Sequence, residues 1–231
     1  MIRIEHLTKR YQDTTVLDIA EMDIPKGQVF GLVGNNGAGK TTLFSLLLDL
    51  IQATEGKVTI DQVDVSKSED WKTNTAAFLD DSFLIGYLTP EEYFYFIGEL
   101  RKVSKEEVDE LLSGYADFFN DEILNKKKYI RDLSKGNQKK VGVVATFIGA
   151  PELLILDEPF ANLDPTTQIR LKELLTEKGK DPNTTILISS HDIQHVTEVC
   201  ERIAVLEKGE IVKDLQTTAK TLKELEAFFT K

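Results

Sequence analysis

The sequence predicts an α/β fold with a mainly parallel central sheet, on three observations. Short apolar runs of the kind buried on both faces recur at residues 28–33, Leu153–Leu156 and residues 185–188. After residue 151 such runs alternate with helical segments, and that alternation requires crossovers and therefore parallel pairing. The first run, Gln28-Val29-Phe30-Gly31-Leu32-Val33, leads through a glycine-rich turn into a helix over residues 41–51, with Leu43, Leu46, Leu47 and Leu50 at helical spacing.

That turn reads Gly34-Asn35-Asn36-Gly37-Ala38-Gly39-Lys40-Thr41 and fits G-x-x-x-x-G-K-[ST], the loop that cradles nucleotide phosphates. Glycines let the backbone curl with its N–H groups inward. Lys40 is suited to neutralise β- and γ-phosphates, and the Thr41 hydroxyl to occupy one Mg²⁺ position. Thr42 follows at the helix start and joins the nucleotide-binding set. A plain Gly-rich turn is the alternative, but the full eight-residue match between a strand and a helix N-terminus favours an anion site.

The whole chain bounds the rest. Its 231 residues suffice for one domain with subdomains, and 41% hydrophobic with 29% charged residues describes a globular chain. A net charge of −11 argues against nucleic acid as a partner. One cysteine, Cys200, excludes an intrachain disulfide and reads as a buried thiol on a helix after residue 191. No apolar run approaches the ~20 residues that span a bilayer. The first residues lack the apolar core of a secretory signal. Action at a membrane is therefore expected only through a partner.

In chain order, residues 1–30 read as short strand pieces and turns, among them 2–4 and 16–19, with a turn at Pro25-Lys26-Gly27. Tyr11, alone among polar neighbours, could stack on adenine or anchor a hairpin surface. Residues 56–61 alternate like a strand. Residues 89–150 read as mainly helical, opening on Thr89-Pro90-Glu91-Glu92, which has N-cap, N1 proline and capping-box glutamate in place. Residues 91–122 are acidic, a solvated face, and Lys126 to Lys140 are basic around Leu133-Ser134-Lys135-Gly136-Asn137-Gln138. Lys208-Gly209 reads as a hairpin turn, and residues 221–229 as a short amphipathic helix.

Asp157 and Glu158 follow the strand Leu153–Leu156, at the carboxyl end where open α/β sheets bind ligands. Asp157 suits Mg²⁺, directly or through water. Glu158 suits a general base that orients water toward a γ-phosphate. A pair of exposed loop acids is the bland alternative, and the phosphate loop weighs against it. His191 emerges at the end of another strand on the same edge; His6 and His195 are expected on the surface.

Taken together these motifs resemble the ATP-binding cassette (ABC) ATPases that power membrane transporters. The phosphate loop, residues 153–158, Asn162-Leu163-Asp164, His191 and Tyr11 fall in the family's order, and Leu133-Ser134-Lys135-Gly136-Asn137 resembles its signature. The resemblance implies a P-loop NTPase with a mixed, mainly parallel central sheet, an antiparallel β subdomain and a helical subdomain. It implies a nucleotide core at about 1–88 and 151–231, with the helical part at about 89–150. It further implies ATP and Mg²⁺ as cofactors, with Tyr11 against adenine, Glu158 and His191 catalytic, Asp157 at the metal and Asp164 in a dimer loop. Ser134, Lys135, Gly136 and Asn137 would face the ATP of a second ABC subunit, homo- or heterodimeric, although Ser134 alone also suits an ordinary N-cap. Lys135 and Asn137 depart from the commonest signature. Where the family places a glutamine near Mg²⁺, this chain has Asp81, or alternatively Asp80. The function implied is ATP hydrolysis driving an exporter-type transporter, by a subunit in the cytoplasm on the inner membrane face beside integral membrane subunits. Alternatives are a non-transport ABC-type ATPase on ribosomes or DNA, and a binding-only cassette without turnover.

Overall fold

A computed structural model describes residues 1–230. The chain opens with a long hairpin, β1 (Ile2–Tyr11) and β2 (Thr14–Ile24), where the sequence suggested only short pieces. The reason is local. His6 lies at φ 50°, and the register of β1 slips between Lys9 and Arg10 against β2 and between Glu5 and Thr8 against the strand on its other side, so apolar alternation is broken although the ladder continues. With β4 (Glu55–Ile60) and β5 (Val63–Asp64) these strands form an antiparallel sheet in the order β2-β1-β4-β5.

The second sheet carries the site. It comprises β3 (Val29–Val33), β6 (Thr75–Phe78), β7 (Leu153–Leu156), β8 (Thr185–Ser190), β9 (Arg202–Glu207) and β10 (Glu210–Gln216), in the order β10-β9-β3-β8-β7-β6. Every pairing in it is parallel except β9 with β10. The turn between those two is Lys208-Gly209, at φ 49° and 87°, the left-handed pair that a two-residue hairpin requires. All of β3, β7 and β8 is buried, as expected of a sheet covered on both faces.

Helix α1 spans Lys40–Leu47, shorter than the sequence reading; Leu48 caps it and Asp49 turns to φ 51°. It packs with Phe30 and Leu32 in a core shared by the two sheets, which includes Ile4, Leu17, Phe44 and Ile60. The opposite face of the parallel sheet is covered by a second core that takes in the helices between residues 90 and 145. These are α2 (Pro90–Leu100), α3 (Lys105–Ser113), α4 (Ala116–Phe119) and α5 (Lys135–Ala145). The capping box read at Thr89 is present: Thr89 Oγ1 accepts from Glu92 N, and the Glu92 carboxylate accepts from Thr89 N. Helices α6 (Pro165–Lys178), α7 (Ile193–Val199) and α8 (Thr221–Phe229) complete the chain. Cys200 is buried at the end of α7, which pushes its thiol pKa up. Among the described residues no helix is long and apolar enough to cross a membrane.

Candidate functional site

Parallel register brings four segments to one edge. Val33 pairs with Ser190, Leu156 with Ile188 and Phe78 with Leu156, so the segments after β3, β8, β7 and β6 all leave the same end of the sheet. The loop after β3 runs from Gly34 to Gly39, the N-cap of α1. Gly39 has φ 111°, which only glycine adopts at little cost, and its Cβ would sit 3.1 Å from the Val16 carbonyl. The Lys208-Gly209 turn braces this loop from behind. Gly209 N donates to Ala38 O at 3.0 Å, and Gly209 O accepts from Asp18 N at 2.8 Å.

Lys40 is buried, with its ammonium 2.7 Å from Gly34 O, 3.4 Å from Asn35 O and 3.3 Å from the Glu158 carboxylate. The other Glu158 oxygen lies 2.8 Å from His191 Nδ1. Thus residues from three strand ends meet around one carboxylate. Asp157 Oδ2 accepts from Thr41 Oγ1, and Asp157 Oδ1 from Ser189 Oγ. Ser189 in turn accepts from Glu158 N at 2.9 Å. Burial raises the Asp157 pKa, opposed by the Ser189 and Thr41 hydroxyls and reinforced by the Glu158 charge.

A cleft of about 470 Å³ lies over the loop, lined by Thr14, Thr15, Val16, Asn36, Gly37, Gly39, Lys40, Thr41, Thr42, Glu158 and Lys208. Tyr11 is not among its lining residues; it is 52% exposed with the Lys9 ammonium 4.8 Å from its ring centre. Thr14 to Val16 and Lys208 were not singled out from the sequence. They come from the β2 start and the β9–β10 turn, and only the fold brings those to the loop. Ser189 was also missed, since it reads as the tail of an apolar strand. Two serines closing a buried run were the available signal.

The remaining candidates are not among the lining residues of that cleft. Ser134 is the N-cap of α5, its hydroxyl accepting from Asn137 N at 3.2 Å, and Ser134 and Lys135 are exposed while Gly136 and Asn137 are half-buried. Asp164 caps α6, accepting from Thr167 N at 3.0 Å, and the Thr167 hydroxyl is the main cause of its lowered pKa. After β6, Asp80 is occupied in capping: it accepts from Ser82 N at 2.9 Å, and that bond holds its pKa down. Asp81 pairs with Lys135 at 3.3 Å through Oδ2, while its Oδ1 is buried without a hydrogen-bond partner. One expectation is corrected. His195 is not on the surface; it is half-buried against the Phe160 ring at 4.7 Å, and burial lowers its pKa. His6 is exposed as expected.

A divalent cation fits this donor set. Among the described residues no cluster of three or more His, Cys, Asp or Glu could hold a metal unaided. Mg²⁺ characteristically takes one or two carboxylates, keeps waters and shares the substrate's phosphates. The Thr41–Asp157 pair beside the phosphate loop supplies that partial set, and Asp157, buried and raised in pKa, is a carboxylate that a cation would stabilise.

Comparison with known proteins agrees with this geometry. The family model for ABC transporters matches residues 17–161, more than half of the chain. The uncharacterized ABC transporter ATP-binding protein YhaQ of Bacillus subtilis is 37% identical over 222 residues, which are 92% of this chain and 70% of that protein. The bacitracin transport ATP-binding protein BcrA of Enterococcus faecalis is 32% identical over 93% of this chain and 69% of that protein. The dimeric post-hydrolysis structure of the ATP-binding cassette MJ0796, bound to ADP and Pi, superposes with a TM-score of 0.84 over 95% of this chain and 100% of that one. At 22% identity that last likeness shows the fold alone. None of these relatives supports a non-transport role. On sequence, fold and site geometry together, the chain belongs to the ABC transporter family, as an ATP-binding and ATP-hydrolysing subunit.

Proposed function

We propose that this chain powers an exporter-type membrane transporter by closing with a second ABC subunit around ATP and hydrolysing it. The observation that carries this reading is the Glu158 carboxylate, held between Lys40 at 3.3 Å and His191 at 2.8 Å at the mouth of the phosphate loop. The loop's N–H groups and Lys40 bind the triphosphate. Asn35, Asn36 and Ala38 shape the cradle between its glycines, and Thr42 adds a hydroxyl at the helix start. Thr41 and Asp157 would hold Mg²⁺, which when bound neutralises charge on the transferring phosphoryl group. Glu158 accepts the proton of the attacking water, and His191 fixes the orientation of that carboxylate. Asp81 is assigned to the metal side through its unpartnered Oδ1. Tyr11, 52% exposed at the end of β1, is assigned to adenine stacking on closure.

The start of α5, with Ser134, Lys135, Gly136 and Asn137, would meet the partner's γ-phosphate, and Asp164 the dimer loop. The dimeric state of the structural neighbour MJ0796 supports such a sandwich. Residues 89–150 are assigned to contact with integral membrane subunits, which places the chain on the inner membrane face. Outward transport is the direction we assign; the relative named for bacitracin transport supports a transporter partner. A charge of −11 supports the absence of nucleic acid among the partners.

Lys40→Ala tests the core of this reading. Equilibrium binding of a labelled ATP analogue should weaken by two or more orders of magnitude, because the phosphates lose a desolvated cation. Unchanged affinity would refute the phosphate-loop assignment. Direction is tested by ATP-driven cargo uptake into inside-out vesicles carrying the chain with its membrane subunits; uptake only into right-side-out vesicles refutes the exporter assignment.

A further inference from the structure

The basic stretch between Lys126 and Lys140 is not uniformly solvated. Lys139, on α5, is only 7% exposed, and its ammonium donates to the carbonyl oxygen of Glu158 at 2.7 Å. It also lies 5.8 Å from the centre of the Phe78 ring. Burial lowers its pKa, and the charges of Asp81, Glu158 and Asp157 counteract this. A buried cation therefore stands among carboxylates, yet binds a backbone oxygen.

That oxygen belongs to an unusual residue. Glu158 has φ 48°, a left-handed conformation that a non-glycine residue keeps only where its surroundings hold it. Three groups hold it here. Its N–H donates to Ser189 Oγ, and its carbonyl accepts from Ala161 N at 3.2 Å and from Lys139. The carboxylate then spans Lys40 and His191. Rotation about the N–Cα bond of Glu158 carries its carbonyl and its side chain together, so pinning the carbonyl also opposes the rotation that would swing the carboxylate away from Lys40 and His191. One turn before Lys139, Gly136 presses on the same loop: a Cβ there would lie 2.8 Å from Asn162 O.

We propose that Lys139 is a positioning residue for the reaction: from the helix that begins at Ser134, it fixes the backbone of Glu158 and thereby aims the carboxylate at the attacking water. The proposal rests on the assignment of Glu158 as general base. It also makes the placement of α5 and of the base a single geometric event within one chain.

Lys139→Met keeps most of the buried stem and removes the donor. Its kcat for ATP should fall on the order of 10–100-fold, as misplacement of a reacting group does. KM and equilibrium ATP affinity should stay within about twofold, since no phosphate contact is lost. Lys139→Arg, which retains a charged donor, should recover most of the rate. In a Glu158→Gln background, Lys139→Met should cost less than about twofold, because there is no base left to aim. If E158Q hydrolyses at the normal rate, the assignment of the base fails and this inference falls with it. If E158Q is slow while K139M has normal kcat, or while K139M slows E158Q by a further tenfold, the inference alone is overturned. Should K139M lack a cooperative melt, Lys139→Leu, which likewise carries no donor, replaces it, and a kcat equal to that of the unmutated protein overturns the proposal.

Discussion

Glu158→Gln separates binding from chemistry at this site. The substitution keeps the side-chain shape and the left-handed backbone but removes the charge 3.3 Å from Lys40 and 2.8 Å from His191. At 3.3 Å and an effective dielectric constant near 20, the gross attraction to Lys40 is about 5 kcal/mol. Desolvation of a largely buried pair offsets most of that, leaving a net of about 1 kcal/mol. ATP must compete with this carboxylate for the ammonium, so neutralising it should tighten ATP binding by about fivefold. Turnover should fall by ~10²–10⁴-fold, the usual cost of losing a general base. Equilibrium binding of a labelled analogue and steady-state phosphate release measure the two effects on one preparation. Gel filtration with ATP should show the variant accumulating as a dimer, since closure is retained and reopening by hydrolysis is not. Hydrolysis at the normal rate would refute the role of Glu158. Binding weakened tenfold would refute the competition with Lys40.

Asp157→Asn should raise the melting temperature of the free protein while abolishing its further stabilisation by ATP with Mg²⁺. The folded-state pKa of Asp157 is raised, so its ionisation opposes folding: stability is fully present below the unfolded pKa and is lost as pH rises through the folded pKa. Stabilisation by ligand at a hundred times Kd is about 2.7 kcal/mol, and a series of thermal melts from pH ~7.5 downward should show it missing and the gain in melting temperature shrinking as pH falls; a lowered melting temperature at every pH refutes the argument. Asp81→Gln should bind ATP as well as or better than the unmutated protein at low Mg²⁺, because a negative charge near the phosphates is removed, and Asp81→Ala should bind less well at high Mg²⁺. The Lys135 pair adds little to this balance, since Lys135 is exposed. Three superimposable Mg²⁺ titrations would remove Asp81 from the metal site.

What could be read from the sequence was what is local. The phosphate loop is eight consecutive residues, and Asp157, Glu158 and His191 each sit just past an apolar run, so their common edge follows once the runs are taken as parallel strands. The cleft's other walls were not legible, because Thr14 to Val16 and Lys208 approach the loop only through long-range pairing. Ser189 and Lys139 were illegible for a different reason. Both are polar residues in a setting their neighbours disguise, one at the end of a buried strand and one inside a charge run. Ser189 acts through hydrogen bonds to Asp157 and Glu158, 32 and 31 positions away in the chain, and Lys139 through one to Glu158, 19 positions away. The β1–β2 hairpin was under-read because the alternation of β1 is broken by one register slip against β2 and another against β4.

The strand order of the parallel sheet has a consequence for synthesis. Strand β3, which launches the phosphate loop, lies between β8 and β9, and those are made about 150 residues later. A ribosome adding roughly 5–20 residues per second leaves that wholly apolar strand without either neighbour for about 8–30 s. The antiparallel sheet has no such delay, since β1, β2 and β4 emerge within the first 60 residues. Nascent chains stalled before residue 185 should accordingly hold a formed hairpin beside an unpaired β3, and recruit chaperones that recognise extended apolar segments. Only chains that extend past Gly209, whose amide closes on Ala38, can present a finished nucleotide cradle at the tunnel exit.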